Sequence, residues 1–380
     1  MKIVLVHYTA PPVTGGVERI VGEQARLLRS RGHTVSLACF EGGQGMQLDS
    51  LIPLSRNASR TEFVAYLSSA FSGSDCVLLH NVGTMPFVPE LTAALRELPA
   101  RLPATRWICW VHDLALGNPD YAALLETPGT HPYAEACPDW EYVAVSGLRT
   151  RQVESLLHVP CTLIPNGIDP VFTLQLSPRV AALAETHAWW DADAVLLHPA
   201  RLLPRKAVET GIHLTQAVRS LGVNLQYIIT GADDPHNPAH SVYAHHLKTL
   251  AEKLHLTDSV HFLGESLAVG PRELCDIFQI ADAVFFPSVR EGFGLPVLEA
   301  GVFGKPVFCP DCEPLSDLPG AITYAPDTTP SDLACWLIRQ LKARDTITAR
   351  RKILRDYRWP SIYLNYIAPL LERPPILLQP

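Results

Sequence analysis

One stretch decides the fold: Ala283-Val-Phe-Phe-Pro-Ser-Val-Arg-Glu-Gly-Phe-Gly-Leu-Pro-Val-Leu-Glu-Ala300. Its apolar start predicts a buried strand, and Pro296 predicts the beginning of a helix, because proline suits the first helical position. Between them, Gly292-Phe293-Gly294 forms a loop with little side chain to keep a ligand off the backbone. A strand, a glycine loop and a helix N-terminus present unpaired N–H groups. The stretch therefore predicts a seat for a phosphate or a sugar.

Composition limits what surrounds this stretch. A chain of 380 residues is too long for one ordinary core, so we expect two domains. Hydrophobic residues at 47% and charged residues at 18% are typical of a folded globular protein. The net charge of −7, without a Lys/Arg-rich run, argues against nucleic-acid binding. Without an apolar run of about 18 residues, we expect no membrane-spanning helix.

The nine cysteines are scattered, and their odd number favours a reducing cytoplasm. Cys309-Pro-Asp-Cys312 has the spacing of a redox or metal motif, but no second pair supports it, and we interpret it as coincidence.

Strands and helices alternate along the chain, which predicts mostly parallel sheets covered on both faces. We expect two doubly wound, Rossmann-like α/β domains that face each other across a cleft. The first comprises residues 1–168, with a C-terminal helix, about 358–380, returning to it, and the second comprises residues 169–357. The strand-like runs are Lys2–Tyr8, Thr34–Cys39, Asp75–His80, Arg106–His112 and Trp140–Ser146, then Ala194–Ala200, Leu225–Thr230, Val260–Leu263, Ala283–Phe286, Pro306–Cys309 and Ile322–Tyr324.

Arg201 and Lys206 follow a strand of the second domain, so we expect them at the same sheet edge as the glycine loop. Two cations beside a helix N-terminus suit a diphosphate. The alternative is that both are ordinary surface charges.

Several separated motifs resemble the retaining GT-B glycosyltransferases of family 4, and the resemblance runs over nearly the whole chain. The motifs are the E-x7-E signature Glu291–Glu299, the cation pair, Gly15-Gly16-Val-Glu-Arg19, Asn166-Gly-Ile-Asp169 and Val111-His112-Asp113. The resemblance implies a GT-B fold, with the second domain binding the nucleotide sugar and the first facing the acceptor. It implies that a hexose moves, with retention, from a nucleotide-diphosphate sugar to a hydroxyl acceptor.

The resemblance also implies roles for single residues of the second domain. Glu299 would hold the donor ribose, and Glu291 would bind hydroxyls of the transferred sugar. The loop that begins at Gly292 would contact phosphate and sugar through the N–H groups of Phe293, Gly294 and Leu295. In the same picture Arg201 and Lys206 would stabilise the departing diphosphate.

In the first domain, the resemblance implies that Gly15 and Gly16 let the backbone approach the donor phosphate or the acceptor, and that His112 lies beside the donor sugar. Alternatives stay open for each. His112 is otherwise a satisfied histidine at a strand end. The glycines are otherwise a tight turn before a helix, with Thr14 as its N-cap, and Glu299 is otherwise a charge near a helix N-terminus.

We expect no obligatory metal and no cofactor besides the donor. Asp233-Asp234, the nearest approach to a metal-binding acidic pair, lies in a Gly/Pro/Asn-rich turn. GDP- and UDP-linked donors stay open, as do carbohydrate, small polar and lipid-linked acceptors. Trp107, Trp110, Trp140 and Tyr121 line an acceptor site or form aromatic core, and we expect the core. The apolar segment Tyr363–Leu378 raises a hypothesis of peripheral membrane contact.

Three other functions fit the sequence less well. A dinucleotide-dependent oxidoreductase needs Gly-x-Gly-x-x-Gly after the first strand, and Tyr8 is followed by a different spacing. A glycosidase would use paired carboxylates but has no need of the two cations. A non-catalytic sugar-nucleotide-binding subunit would be expected to lose some of these groups, and the chain keeps them.

Overall fold

The computed structural model describes residues 1–127, 129–130, 133–231, 238–266 and 269–374, with the backbone alone at 238–241 and 265–266. The chain divides into two compact units, Met1–Asp169 with Tyr357–Pro380, and Pro170–Asp356. Each boundary expected from the sequence lies one residue from this division. Asp233-Asp234 and the last residues of the apolar C-terminal segment lie outside the described residues.

The first unit contains a seven-stranded parallel sheet with strand order β3-β2-β1-β4-β5-β6-β7. Its strands are β1 Lys2–Val6, β2 Thr34–Cys39, β3 Ser50–Pro53, β4 Cys76–His80, β5 Arg106–Val111, β6 Glu141–Ala144 and β7 Cys161–Leu163. The longer helices are Gly16–Ser30, Arg60–Ala70, Pro89–Arg101 and Gly147–Leu157, and Ala122–Leu125 is a single turn.

The second unit contains a six-stranded parallel sheet with order β10-β9-β8-β11-β12-β13. Its strands are β8 Ala194–His198, β9 Leu225–Ile229, β10 Val260–Phe262, β11 Ala283–Phe285, β12 Val307–Pro310 and β13 Ala321–Tyr324. The helices are Pro170–Thr173, Pro178–Thr186, Val208–Ser220, Pro238–Lys253, Leu263–Ser266, Pro271–Ile280, Leu295–Val302, Pro330–Lys342 and Asp345–Asp356. Two doubly wound α/β sheets were predicted, and both are confirmed.

Both sheets reverse their winding direction at one point. The strand order turns at β1/β4 in the first sheet and at β8/β11 in the second. The loops after two such strands diverge to opposite faces and leave a crevice at the carboxyl edge, where open α/β sheets bind ligands. The topology thus predicts one ligand-binding edge for each unit.

Each sheet is buried on both faces, as parallel sheets require. Along β1, Val4 and Val6 pack into one hydrophobic cluster, while Ile3 and Leu5 pack into a second. Because successive strand residues point to opposite faces, these clusters cover the two sides of the sheet. Trp107, Trp110 and Trp140 are among the buried residues of these clusters. The aromatic-core interpretation of the three tryptophans therefore holds.

The C-terminal segment packs on the first unit, as predicted. It runs through an α-helical turn Trp359–Ile362, a π-helical stretch Tyr363–Ile367 and a further turn Ala368–Glu372. Trp359 Nε1 donates a hydrogen bond to the Glu23 carboxylate, and the Leu370 carbonyl accepts one from Arg106 at 2.6 Å. Ile362 and Ile367 are buried in the core beneath.

Two local predictions were wrong. Thr14 is not the N-cap of the first helix: Gly15 occupies that position and provides no side-chain cap. Both edge strands of the first sheet, β3 and β7, were missed. Ser50–Pro53 has only Ile52 buried, and Cys161–Leu163 is three residues long with none of them fully buried. Both therefore lack the apolar run by which the other strands were recognised.

A buried ion pair stabilises the second unit at the edge of its sheet where the strands begin. Asp282 precedes β11 and is 2% exposed. Its carboxylate accepts hydrogen bonds from Val195 N–H at 2.7 Å, from Arg350 at 2.8 Å and from the Arg351 guanidinium. The pair connects helix Asp345–Asp356 to the beginnings of β8 and β11.

Asp282→Ala should destabilise the second unit by about 3–5 kcal/mol, because it leaves buried guanidinium groups without a counter-charge. Urea unfolding would show the midpoint falling. Asp356→Ala is the matched control: it removes an exposed carboxylate that contacts Arg355 at 3.2 Å and should cost under about 1 kcal/mol. Equal losses in the two variants would contradict the assignment.

Candidate functional site

A Lys206–Glu291 ion pair lies at the β8/β11 switch point of the second unit. Lys206 ends the short 3₁₀ turn Pro204–Lys206 after β8, and Glu291 lies in the loop after β11. The Lys206 and Glu291 side chains are only 10% and 8% exposed. The two adjacent strands thus bring together two residues that are 85 positions apart.

Neighbouring groups hold Glu291 in place. Ser288 donates a hydrogen bond to the same carboxylate, and Arg205 contacts its other oxygen at 3.3 Å. The two loops are also joined through their backbones, since Val289 N–H donates to the Arg205 carbonyl at 2.9 Å. Two cations around one carboxylate leave this cluster with an excess positive charge, as an anion site requires.

The Lys206 ammonium lies over an aromatic ring and near a neutral histidine. Its Nζ lies 4.7 Å from the centroid of the Phe286 ring, a cation–π contact. His198, the last residue of β8, is fully buried and contacts the Tyr227 hydroxyl. Burial first, and then the charge of Lys206, lowers the pKa of His198 to about 3. The imidazole is therefore neutral and adds no repulsion to the ammonium group.

The glycine loop leads into helix Leu295–Val302, with Gly294 as its N-cap in the left-handed region at φ 99°. Residues with a Cβ rarely adopt this conformation, and a Cβ on Gly294 would also meet the Leu315 side chain at 2.6 Å, so glycine is favoured there. Within the described part of the chain, the N–H groups of Phe293, Gly294 and Leu295 donate to no other group. A Cβ on Gly292 would meet nothing within 4 Å.

Two predicted donor-site residues lie outside this cluster. Arg201 is exposed, and its side chain forms no ion pair with any described carboxylate. Glu299 is exposed on helix Leu295–Val302, just beyond the first turn. The structure therefore brings Lys206, Glu291 and the glycine loop together and leaves Arg201 and Glu299 open to solvent. The roles given to all of these residues stay predictions.

In the first unit, three histidines meet at the β1/β4 switch point. His7 follows β1, His80 ends β4 and His112 follows β5. His80 Nδ1 and His112 Nε2 are 3.0 Å apart and share a hydrogen bond, and the His7 ring contacts the His80 carbonyl at 2.7 Å. Burial first, and then the charge of His7, lowers the pKa of His112 to about 3.

The first-unit glycine loop is adjacent to this histidine cluster. Gly15 is the N-cap of helix Gly16–Ser30, and Glu18 folds back so closely that a Cβ on Gly15 would meet its carboxylate at 1.9 Å. Glu18 accepts a hydrogen bond from Thr9 at 2.6 Å and lies 3.8 Å from His7 Nε2. A Cβ on Gly16 would meet nothing within 4 Å. His112 thus lies within a polar cluster at the end of β5, and its role beside the donor sugar stays a prediction.

Sequence reasoning missed several residues of these clusters: Arg205, Ser288, His7, His80 and Glu18. Each histidine closes an apolar run, and this is the signal that could have found them. The sheet order was the missing information, because it alone makes β1, β4 and β5 neighbours.

The described residues contain no group of three or more His, Cys, Asp or Glu side chains arranged to hold a metal ion. Among the described helices, none combines the length and apolarity needed to cross a membrane.

Two family models match the chain, one in each unit. Glycosyltransferase Family 4 matches residues 14–172 and Glycosyl transferases group 1 matches residues 183–319. The chain belongs to this glycosyltransferase family. The family membership expected from the sequence is thereby confirmed, whereas retention and the role of the E-x7-E signature stay predictions.

Proteins similar to this chain include an inositol phosphate glycosyltransferase and a trehalose synthase. The chain is 28% identical over 228 residues to a D-inositol 3-phosphate glycosyltransferase of Stackebrandtia nassauensis, an alignment covering 55% of this chain and 49% of that protein. It is 25% identical over 327 residues to a trehalose synthase of Pyrococcus horikoshii, covering 80% and 72%. A crystal structure of a glycosyltransferase from Rickettsia africae matches with 16% identity and a TM-score of 0.39, over 98% and 97% of the two chains. The chain spans about half the length of the first of these relatives.

The His112 imidazole should stay neutral at every pH where the protein is folded and active, because its pKa of about 3 lies far below 6.5. In an NMR titration from pH 5 to pH 8, its ring signals should not move. A His112→Asn variant identifies the signal. A titration midpoint near the ordinary histidine value would show that the ring is not buried as described.

Proposed function

We propose that this protein is an enzyme that transfers a hexose from a nucleotide-diphosphate sugar to a hydroxyl acceptor. The observation that carries the proposal is the Lys206–Glu291 pair, followed by a loop in which the N–H groups of Phe293, Gly294 and Leu295 donate to no other described group. Family membership supports the reaction class. The two relatives' names, an inositol phosphate glycosyltransferase and a trehalose synthase, support sugar transfer to an oxygen nucleophile.

In this proposal, the bond between the anomeric carbon and the diphosphate oxygen breaks, and its electron pair leaves with the diphosphate. The acceptor oxygen forms the new bond to the anomeric carbon and gives up its proton. Lys206, Arg205 and the loop N–H groups stabilise the charge on the departing oxygen, each by about 3 kcal/mol when well placed. Because these groups supply the positive charge, the reaction needs no metal ion.

Glu291 has two roles in this proposal. Its ion pair holds the Lys206 ammonium at the sheet edge before the donor arrives. When the donor phosphate binds, the carboxylate is available to accept hydrogen bonds from the sugar hydroxyls. Gly15, Gly16 and His112 contact the donor or the acceptor from the first unit, and Glu299 binds the ribose. Retention of the anomeric configuration is proposed from the resemblance, and a reducing, cytoplasmic location is supported by nine free cysteines.

Donor binding is tested with a thermal-shift panel of nucleoside diphosphates and their sugars, GDP- and UDP-linked donors included, since a bound donor raises the melting temperature. One member of the panel should raise it with EDTA present, because no metal is needed. If none does, the proposal fails. Absorbance changes with a nicotinamide cofactor would favour an oxidoreductase instead.

Turnover is tested by release of nucleoside diphosphate from the donor that the panel selects, with water as the acceptor when no other is supplied. Lys206→Met and Glu291→Gln should each lower kcat/KM about 100-fold, the cost of losing one transition-state contact. Lys253→Met, which removes an exposed charge on a distant helix, should leave it unchanged. Donor binding without any release would identify a non-catalytic binding subunit.

A further inference from the structure

An open cavity of about 590 Å³ lies in the second unit at the edge opposite to the candidate donor site. Its wall includes Asp282, Pro306 and Ala321, which stand at or just before the amino ends of β11, β12 and β13. Lys206 and Glu291 follow the carboxyl ends of β8 and β11. Because all strands of this sheet are parallel, the cavity and the donor-site residues occupy opposite edges.

The wall of this cavity carries more positive than negative charge. Lys305, Arg344 and Arg350 line it together with a single carboxylate, Asp282, which gives a net charge of +2. Both oxygens of Asp282 are already committed, since they accept hydrogen bonds from Arg350, Arg351 and the Val195 N–H. Arg350 also donates to the Ile280 and Gln279 carbonyls, so its role is structural.

Lys305 and Arg344 form no ion pair with a carboxylate among the described residues. In the part of the chain that the structure describes, the Lys305 ammonium forms no ion pair and donates only to the Gln279 carbonyl, at 3.3 Å. Arg344 donates to the carbonyl and side chain of Gln340 and lies over the Phe308 ring. Burial, followed by the nearby charges of Arg350 and, to a smaller extent, Arg351, lowers the pKa of Lys305 to about 8, although Asp282 opposes the shift.

The remaining wall leaves room for a ligand. Cβ atoms built on Gly301, Gly304 and Gly320 would meet nothing within 4 Å, and Thr346 adds a hydroxyl group. The cavity volume falls in the range of small-molecule sites and is far larger than one phosphate group. A ligand that fills it therefore carries an anionic head and an organic part.

We propose that this cavity binds a small phosphate ester, with the phosphate group on Lys305 and Arg344. A dianionic phosphate offsets the net charge of the wall and supplies acceptors for the unpaired protons of Lys305. Arg344 offers a planar donor set that suits phosphate oxygens. The site is separate from the donor site. The result of its test therefore neither supports nor contradicts the proposed reaction.

The test is calorimetry on the full chain, with inorganic phosphate and glycerol 3-phosphate as probes and sodium chloride at matched ionic strength as the blank. Lys305→Met and Arg344→Met should each weaken binding at least tenfold, while Lys253→Met should not. Glycerol 3-phosphate should bind more tightly than inorganic phosphate, and the reverse order would contradict the assignment of an ester.

Lys206→Met separates this site from the donor edge. Loss of phosphate binding in Lys206→Met but not in Lys305→Met would place the anion at the donor site and overturn the proposal, and so would an absence of binding in the unchanged protein. Melting curves without phosphate confirm that each variant is folded. If Lys305→Met fails to fold, the effect of Arg344→Met on phosphate binding decides whether the proposal holds.

The pH dependence provides an independent readout. Sulfate stays a dianion from pH 7 to pH 10, so a change in its affinity over this range reflects a change in the protonation of the protein and not of the ligand. The affinity should be full below pH 8 and fall as pH rises above 8, because Lys305 loses its proton there. An affinity that does not change over this range would show that Lys305 does not bind the anion.

Discussion

The Lys206–Glu291 ion pair is the interaction on which the candidate site depends. Neither side chain could hold its position alone: each is nearly buried, and an isolated charge in such a place is strongly disfavoured. Together, and with Ser288 and Arg205, they form a satisfied cluster. The cluster keeps an ammonium group at the carboxyl edge of the sheet, and the loop that follows Glu291 has main-chain N–H groups that donate to no other group among the described residues.

The same topological rule organises the first unit. There the strand order reverses between β1 and β4, and His7, His80 and His112 meet at the resulting edge. The chemistry differs, because burial lowers the pKa of each of the three rings, that of His112 to about 3. One unit therefore presents fixed positive charge and main-chain donors, and the other presents imidazole rings whose protonated form is disfavoured by burial.

The sequence predicted most of this fold, because apolar runs mark buried strands and glycine and proline mark their ends. It also predicted Lys206 and Glu291, whose positions after two strands place them at one edge. It did not predict Arg205, which contacts the Glu291 carboxylate at 3.3 Å from within the turn Pro204–Lys206. The role predicted for Arg201 stays a prediction. The histidine cluster was hidden because its members come from strands that are adjacent in the sheet but distant in the sequence.

A crystal structure with a nucleoside diphosphate bound tests the central claim most directly. The account predicts that the terminal phosphate contacts the Lys206 ammonium and the N–H groups of Gly294 and Leu295. A diphosphate bound elsewhere on the chain, with those N–H groups facing solvent, would contradict it.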